Sequence, residues 1–273
     1  MIPEGRPFFK MSGSGNDFVM VDARIEPPGQ LAEPDVIRTI CARGTGVGAD
    51  GIVFLETSRV AALRLTYLNA DGSLAALCGN ATLCTTRLAV ELGSGTASGF
   101  TIETDSGVLA ARLRDSTPEI DLQPVVELRP SVSEIQLASG ERQMGFAVVG
   151  VPHLVVLVDQ LESVDVRSRG SSLRRHASLE HGANVNFVAP TQAGGWRMRT
   201  YERGVEAETL ACGSGAVAAA VLVTAWQLGA PDITVETRSG RSLHVRLAQS
   251  ARGWLASLAG EARIIYAGRF AEI

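Results

Sequence analysis

The chain has 273 residues, 45% of them apolar and 20% charged, with a net charge of −4. That balance describes a globular protein with room for two ordinary domains, and without a basic stripe it excludes a general nucleic-acid binder. No apolar run reaches the ~20 residues of a membrane-spanning helix, and residues 1–6 lack the charged-then-apolar layout of a signal peptide, so residence in the cytoplasm is expected.

Cys41, Cys78, Cys84 and Cys212 do not make a disulfide framework in a chain of this length. The C-x5-C spacing of Cys78 and Cys84, with four scattered histidines, argues against a structural zinc site, and no metal is expected. The basic residues are nearly all arginine, and Lys10 is the only lysine. Pyridoxal-phosphate chemistry needs a Schiff-base lysine and only this one could serve, so no cofactor is expected. Lys10 lies in Phe8-Phe9-Lys10-Met11, which reads as an edge of the first strand.

In chain order, the alternation of Phe18-Val19-Met20-Val21-Asp22 predicts a strand, Pro34–Cys41 a short helix, and Ala62-Leu63-Arg64-Leu65-Thr66-Tyr67 a second strand. Ala76-Leu77-Cys78-Gly79-Asn80-Ala81 then leads into a helix over residues 79–92, closed by a glycine cap. Asp105-Ser106-Gly107 is a hairpin turn, and the helix-poor, proline-containing stretch 115–130 reads as a crossover. A strand follows at Leu154-Val155-Val156-Leu157-Val158, a short helix at 172–179, and a strand at Trp196-Arg197-Met198-Arg199-Thr200-Tyr201. Leu210-Ala211-Cys212-Gly213-Ser214-Gly215-Ala216-Val217 opens a helix over 213–228, again with a glycine cap, and Arg238-Ser239-Gly240 makes another turn. Residues 216–226 have almost no polar face, so this helix should be wrapped by its own sheet.

The order of elements repeats. Thr66-Tyr67 recurs as Thr200-Tyr201 and Cys78 as Cys212, both 134 residues on. At the same offset Ala49-Asp50-Gly51-Ile52-Val53-Phe54 matches Ala183-Asn184-Val185-Asn186-Phe187-Val188. Glu103-Thr104-x-Ser106-Gly107 recurs as Glu236-Thr237-x-Ser239-Gly240, one residue out of register. One matching dipeptide is cheap; four blocks in order within one residue of a single offset indicate an internal duplication. The expected fold is α+β: two pseudo-symmetric domains, each a sheet wrapped around a central helix. The expected boundaries are 1–122 plus a C-terminal strand 263–273, and 123–262.

A lone cysteine at a helix start is by default a small buried hydrophobe. Two at equivalent helix mouths read differently. If the halves face one another across a cleft, both helix N-termini point into it. The positive end of a helix lowers a thiol pKa from about 8.5 toward neutrality, and the same free N–H groups hold a carboxylate. An α-carbon would then have a thiol on each side. One thiolate removes its proton, the opposite thiol returns one, and the centre inverts without a cofactor.

On these residues the chain resembles the diaminopimelate epimerases along nearly its whole length. The matching motifs in the first half are Ser14-Gly15-Asn16-Asp17-Phe18, Gly48-Ala49-Asp50-Gly51, Asn69-Ala70-Asp71-Gly72-Ser73 and Cys78-Gly79-Asn80. In the second half they are Pro152-His153, Asn184, Tyr201-Glu202-Arg203-Gly204 and Glu208-Thr209-Leu210-Ala211-Cys212-Gly213-Ser214-Gly215. The resemblance implies interconversion of LL- and meso-diaminopimelate in lysine and peptidoglycan-precursor synthesis, without pyridoxal phosphate and by a homodimer. It implies that Cys78 takes the proton from the LL isomer and Cys212 from the meso isomer. By the same resemblance Asn16, Asn69, Asn184, Glu202 and Arg203 hold the substrate, Gly79-Asn80 and Gly213-Ser214 cradle the reacting carboxylate, and His153 and Glu202 tune the thiols.

Val151, Leu83 and Ser12 stand where the family often has asparagine, arginine and histidine, and the segment from Glu202 to Cys212 is one residue longer than in many members. None of these touches the thiols. Val151 bears on the exact substrate, and a racemase of a single amino acid such as histidine is the nearest alternative. Asn69, Asn184 and Arg203 together favour a substrate with a second amino-acid end. Two further readings are a redox sensor switched by a Cys78–Cys212 disulfide and a non-catalytic amino-acid-binding module. Cys41 and Cys84 are expected to be core.

Overall fold

The computed structural model describes residues 5–271. Residues 1–4, part of the stretch read for a signal layout, and residues 272–273, the end of the expected C-terminal strand, lie outside it. The chain forms two compact units, Met1–Asp121 with Ala259–Ile273, and Leu122–Leu258.

The first unit runs β1 (Pro7–Gly13), β2 (Asn16–Asp22), α1 (Pro34–Cys41), β3 (Gly51–Glu56), β4 (Leu63–Asn69), β5 (Leu74–Ala75), α2 (Gly79–Glu91), β6 (Phe100–Thr104), β7 (Gly107–Arg114) and β8 (Thr117–Asp121). The second runs β9 (Leu128–Arg129), β10 (Glu141–Val149), β11 (Val151–Val158), α3 (Val166–Arg174), β12 (Asn184–Pro190), β13 (Trp196–Glu202), β14 (Ala207–Thr209), α4 (Gly213–Ala225), β15 (Asp232–Glu236) and β16 (Ser242–Ser250). The chain then continues through β17 (Gly253–Gly260) to β18 (Ala262–Arg269), which returns to the first unit.

The pairings state the duplication plainly. β2 lies parallel to β3, β3 antiparallel to β4, and β4 parallel to β6. In the second unit β11 lies parallel to β12, β12 antiparallel to β13, and β13 parallel to β15. Parallel neighbours need a crossover, and each unit supplies two, the first through α1 or α3 and the second through α2 or α4.

α2 and α4 are each 13 residues long, with ten buried. α4 reads Gly-Ser-Gly-Ala-Val-Ala-Ala-Ala-Val-Leu-Val-Thr-Ala, so its alanines favour the helix and its mostly small side chains let strands close around it. It packs against β10, β11, β12, β15 and β16, and α2 against β1, β7, β8 and β18. The remaining core of the second unit centres on Leu154, Val156, Val185 and Phe187, that of the first on Val19, Ile37, Ile52 and Phe54.

Four local expectations are corrected. Lys10 is not at an edge, because β1 pairs with β2 on one side and β18 on the other. Its ammonium lies 2.6 Å from Asp17 and also donates to the Gly48 carbonyl. The helix expected at 172–179 lies at Val166–Arg174 instead, because Asp165 caps it by accepting from the Ser168 N–H at 3.0 Å. A Cβ on Gly170 would overlap the Tyr201 side chain, so that helix sits hard against β13. The stretch 115–130 is not wholly a crossover, since Asp115 and Ser116, both at positive φ, make the tight turn that joins β7 to β8. Finally, α4 ends at Ala225, three residues early. Gln227 takes the left-handed position (φ 61°) that Gly93 (φ 68°) takes after α2, and the Leu228 N–H closes onto the Val223 carbonyl at 2.9 Å.

Among the described residues no helix is long and apolar enough to cross a membrane.

Candidate active site

Cys78 and Cys212 occupy matching places. Each is the N-cap residue of its helix, with φ/ψ of −130°/113° and −139°/108°. In neither does the cysteine side chain make the capping hydrogen bond to its helix. The first intrahelical bonds run from the Thr82 N–H to the Cys78 carbonyl (2.9 Å) and from the Ala216 N–H to the Cys212 carbonyl (3.0 Å). The N–H groups of Gly79-Asn80-Ala81 and of Gly213-Ser214-Gly215 therefore precede any intrahelical acceptor, which is the arrangement that binds anions. Cys78 is half-buried and Cys212 buried, and none of the four cysteines is in a disulfide. Ser214 Oγ lies 3.6 Å from Cys212 Sγ. Burial pushes the Cys41 thiol up to about 11 and raises Cys84 further, so both stay protonated in the core.

In the first unit a two-residue turn, Ser14 (φ 52°) and Gly15 (φ 112°), folds β1 back on β2 and sets Asn16 at the head of the second strand. Asn16 Oδ1 accepts from Asn80 Nδ2 at 2.7 Å, and Asn16 Nδ2 donates to Asp50 at 2.9 Å. Asp50 is held by Arg43, which also binds Asp17, the partner of Lys10. A ladder of charged groups thus orients Asn16 and, through it, the residue two after Cys78. Hydrogen bonds from Arg43 and Lys10 outweigh burial and keep the Asp17 carboxyl below its usual range. Asn69 ends β4 in a turn that Gly72 (φ 86°) permits, and its Nδ2 donates to Ser73 Oγ at 3.0 Å.

The second unit carries the other set. Asn184 and His153 are register partners on β12 and β11. Asn184 Oδ1 accepts the Arg203 backbone N–H at 2.7 Å, and one guanidinium nitrogen of Arg203 donates to the His181 carbonyl at 3.0 Å. Glu206, at φ 57°, ties the segment after Glu202 and Arg203 by accepting from the Gly204 N–H at 3.1 Å and from Arg174 at 2.9 Å. Val151 faces Val149 across the Gly150 turn (φ 68°).

His153 is fully buried, and burial, with the Arg203 charge, pushes it down to about 3 from the ordinary 6.5. It is a neutral imidazole at working pH. As pH falls below 6.5 the unfolded chain takes up a proton that the folded chain refuses. Stability should then drop by about 1.4 kcal/mol per pH unit until about pH 3. The check is urea unfolding of wild type and His153→Gln across pH 7 to 4: the wild-type advantage should shrink on acidification, and a constant difference would refute the assignment.

Two residues escaped the sequence reading. Asp50 was visible only as part of a motif, and its grip on Asn16 is tertiary. Asn186 left a signal, a second polar residue in the otherwise apolar run Ala183-Asn184-Val185-Asn186-Phe187-Val188. In the structure it is fully buried against His153.

Comparison with solved structures finds this architecture, at 15–16% identity, in a phenazine biosynthesis protein of the PhzF family from Bacillus anthracis and in a hydroxyproline epimerase from Agrobacterium vitis. The first has a TM-score of 0.76 and covers 98% of this chain and 99% of its own; the second has 0.67, with 99% and 93%. The diaminopimelate epimerase family model matches residues 8–126 and again 145–265, once per half. A diaminopimelate epimerase from Gemmatimonas aurantiaca is 45% identical across 97% of this chain and 99% of its own. One from Aquifex aeolicus is 35% identical across 97% and 98%. Duplicated fold and full-length matches together define an isomerase of the racemase and epimerase class. The chain belongs to the diaminopimelate epimerase family.

Proposed function

We propose that this protein interconverts LL- and meso-diaminopimelate by a two-thiol proton transfer at the α-carbon. The reading is carried by one observation: a cysteine at each of two equivalent, side-chain-uncapped helix mouths, 134 residues apart. Cys78 takes the proton from the LL isomer and Cys212 from the meso isomer, each as thiolate while the other returns a proton as thiol. The N–H groups of Gly79 and Asn80, and of Gly213 and Ser214, take the carboxylate of the reacting centre and draw charge away from the α-carbon.

The substrate's distal end is itself an amino acid, and the remaining residues suit it. Arg203 offers a planar fork for a carboxylate, while Glu202 and the amide oxygens of Asn16, Asn69 and Asn184 accept from an ammonium. His153 and Glu202 set the protonation of the two thiols.

Val151 supports a second arm, in which the same chemistry acts on a one-ended amino acid. The test for both is uptake of solvent deuterium at the α-carbon, followed by NMR, with LL-diaminopimelate and then with L-histidine. Exchange with LL-diaminopimelate and appearance of the meso isomer is the expected result. Exchange with L-histidine alone would keep the two-thiol chemistry and reject the diaminopimelate assignment.

A further inference from the structure

We propose that Asn186 is a positioning residue that locks His153 as its Nε2–H tautomer, and that position 215 is glycine because this amide fills the space of a side chain there. The inference rests on the reading above, in which His153 sets the protonation of a catalytic thiol.

The amide's orientation is fixed by a group that can only accept. Asn186 Nδ2 lies 3.3 Å from the Leu154 carbonyl oxygen, so the nitrogen must be on that side. The opposite end agrees, because Asn186 Oδ1 accepts from Thr200 Oγ1 at 3.0 Å. The same Nδ2 sits 3.2 Å from His153 Nδ1. An amide NH2 cannot accept, so Nδ1 must present its lone pair, and the one proton of the neutral ring lies on Nε2. Nε2 is buried and makes no hydrogen bond among the described residues. The imidazole is therefore set as a hydrogen-bond donor through Nε2 and not as a base.

Asn186 also reaches the cysteine helix. A Cβ on Gly215 would overlap Asn186 Oδ1 and stand 3.1 Å from Cys212 Sγ. The duplication shows that the fold does not need this arrangement. The strand registers, which set Arg64 beside Glu103 and Arg197 beside Glu236, make Val53 (opposite Tyr67) the counterpart of Asn186 (opposite Thr200), and Ala81 is the counterpart of Gly215; both Val53 and Ala81 are fully buried. The first unit has a valine and an alanine at these places; the second has an amide and a glycine. The two positions have changed together, in the unit that holds His153.

The charge facing this ring is Arg203, which disfavours the imidazolium and so keeps the neutral form in which a tautomer has meaning. A buried amide whose nitrogen and oxygen are both hydrogen-bonded holds the ring's angle as well as its proton.

The test is a long-range 1H–15N correlation spectrum of histidine-labelled protein, with His153 assigned by its loss in His153→Gln. The expected pattern is an unprotonated Nδ1 and a protonated Nε2. The double variant Asn186→Val with Gly215→Ala copies the first unit's solution. It should fold, lose the fixed tautomer and lower kcat by at least about tenfold with KM little changed, as a misplaced imidazole proton does elsewhere. A proton on Nδ1 in the wild type overturns the proposal, and that spectrum decides even if the variant does not fold. Full kcat in the folded double variant also overturns it. An Nε2–H ring in a protein that exchanges no α-proton would sink the proposed function and leave the lock standing.

Discussion

Alanine at Cys78 or at Cys212 should each reduce interconversion of LL- and meso-diaminopimelate by about 10³-fold or more. Each direction of a two-base inversion uses one thiolate and one thiol, so removing either sulfur stops both directions, and positioned acid–base groups supply about 10²–10⁴-fold apiece. What survives should be face-specific. In Cys78→Ala the remaining Cys212 can still take the α-proton of the meso isomer and return a deuteron to the same face, so meso-diaminopimelate should exchange slowly without forming LL. Cys212→Ala should show the mirror pattern, slow exchange of LL without meso. A chiral assay beside the exchange measurement separates the two outcomes. If either variant kept a tenth of wild-type turnover, the two-thiol reading would fail.

Phe187→Ala should destabilise the second unit by about 3–5 kcal/mol, a large part of the 5–15 kcal/mol that holds an ordinary domain. Phe187 is fully buried in β12, hydrogen-bonded between β11 and β13, in the cluster that includes Leu154, Val156 and Val185. Truncation removes most of a large side chain's burial and leaves a cavity that flanking strands, fixed by their ladders, cannot close. Its strand carries Asn184 and Asn186, so activity should fall at temperatures below the unfolding midpoint. Urea unfolding monitored by circular dichroism gives the comparison, and a loss under 1 kcal/mol would mean that the site repacks.

The duplication was legible because it rests on identity at nearly fixed spacing: Thr66-Tyr67 and Thr200-Tyr201 fall on equivalent strands, one residue out of register, and Cys78 and Cys212 on equivalent caps. The wrapped helix was legible because α4 has no polar face to give to water. What failed was local. Helix α3 starts at an Asp165 cap whose signal is weaker than the apolar spacing further on, and α4 stops at a left-handed glutamine that no propensity would choose over Gly229. Lys10 was misplaced for a different reason. Its burial depends on β18, which arrives 250 residues later, and no local pattern announces that partner. Asn186 belongs with it, since a buried amide declares its purpose only when its neighbours are known.

Lys10 carries one more consequence. The chain's only lysine has its ammonium enclosed between Asp17 and the Gly48 carbonyl, with the side chain 9% exposed. No other side-chain amine exists, so aldehydes, activated esters and acyl donors find no lysine target on the folded surface. The permanent positive charge elsewhere is all guanidinium, which keeps its proton at any pH where a lysine would begin to lose one. An amine-reactive probe that labels a side chain of this protein would therefore be reporting unfolding of the β1 region, and Lys10 becomes a built-in marker for the opening of one strand.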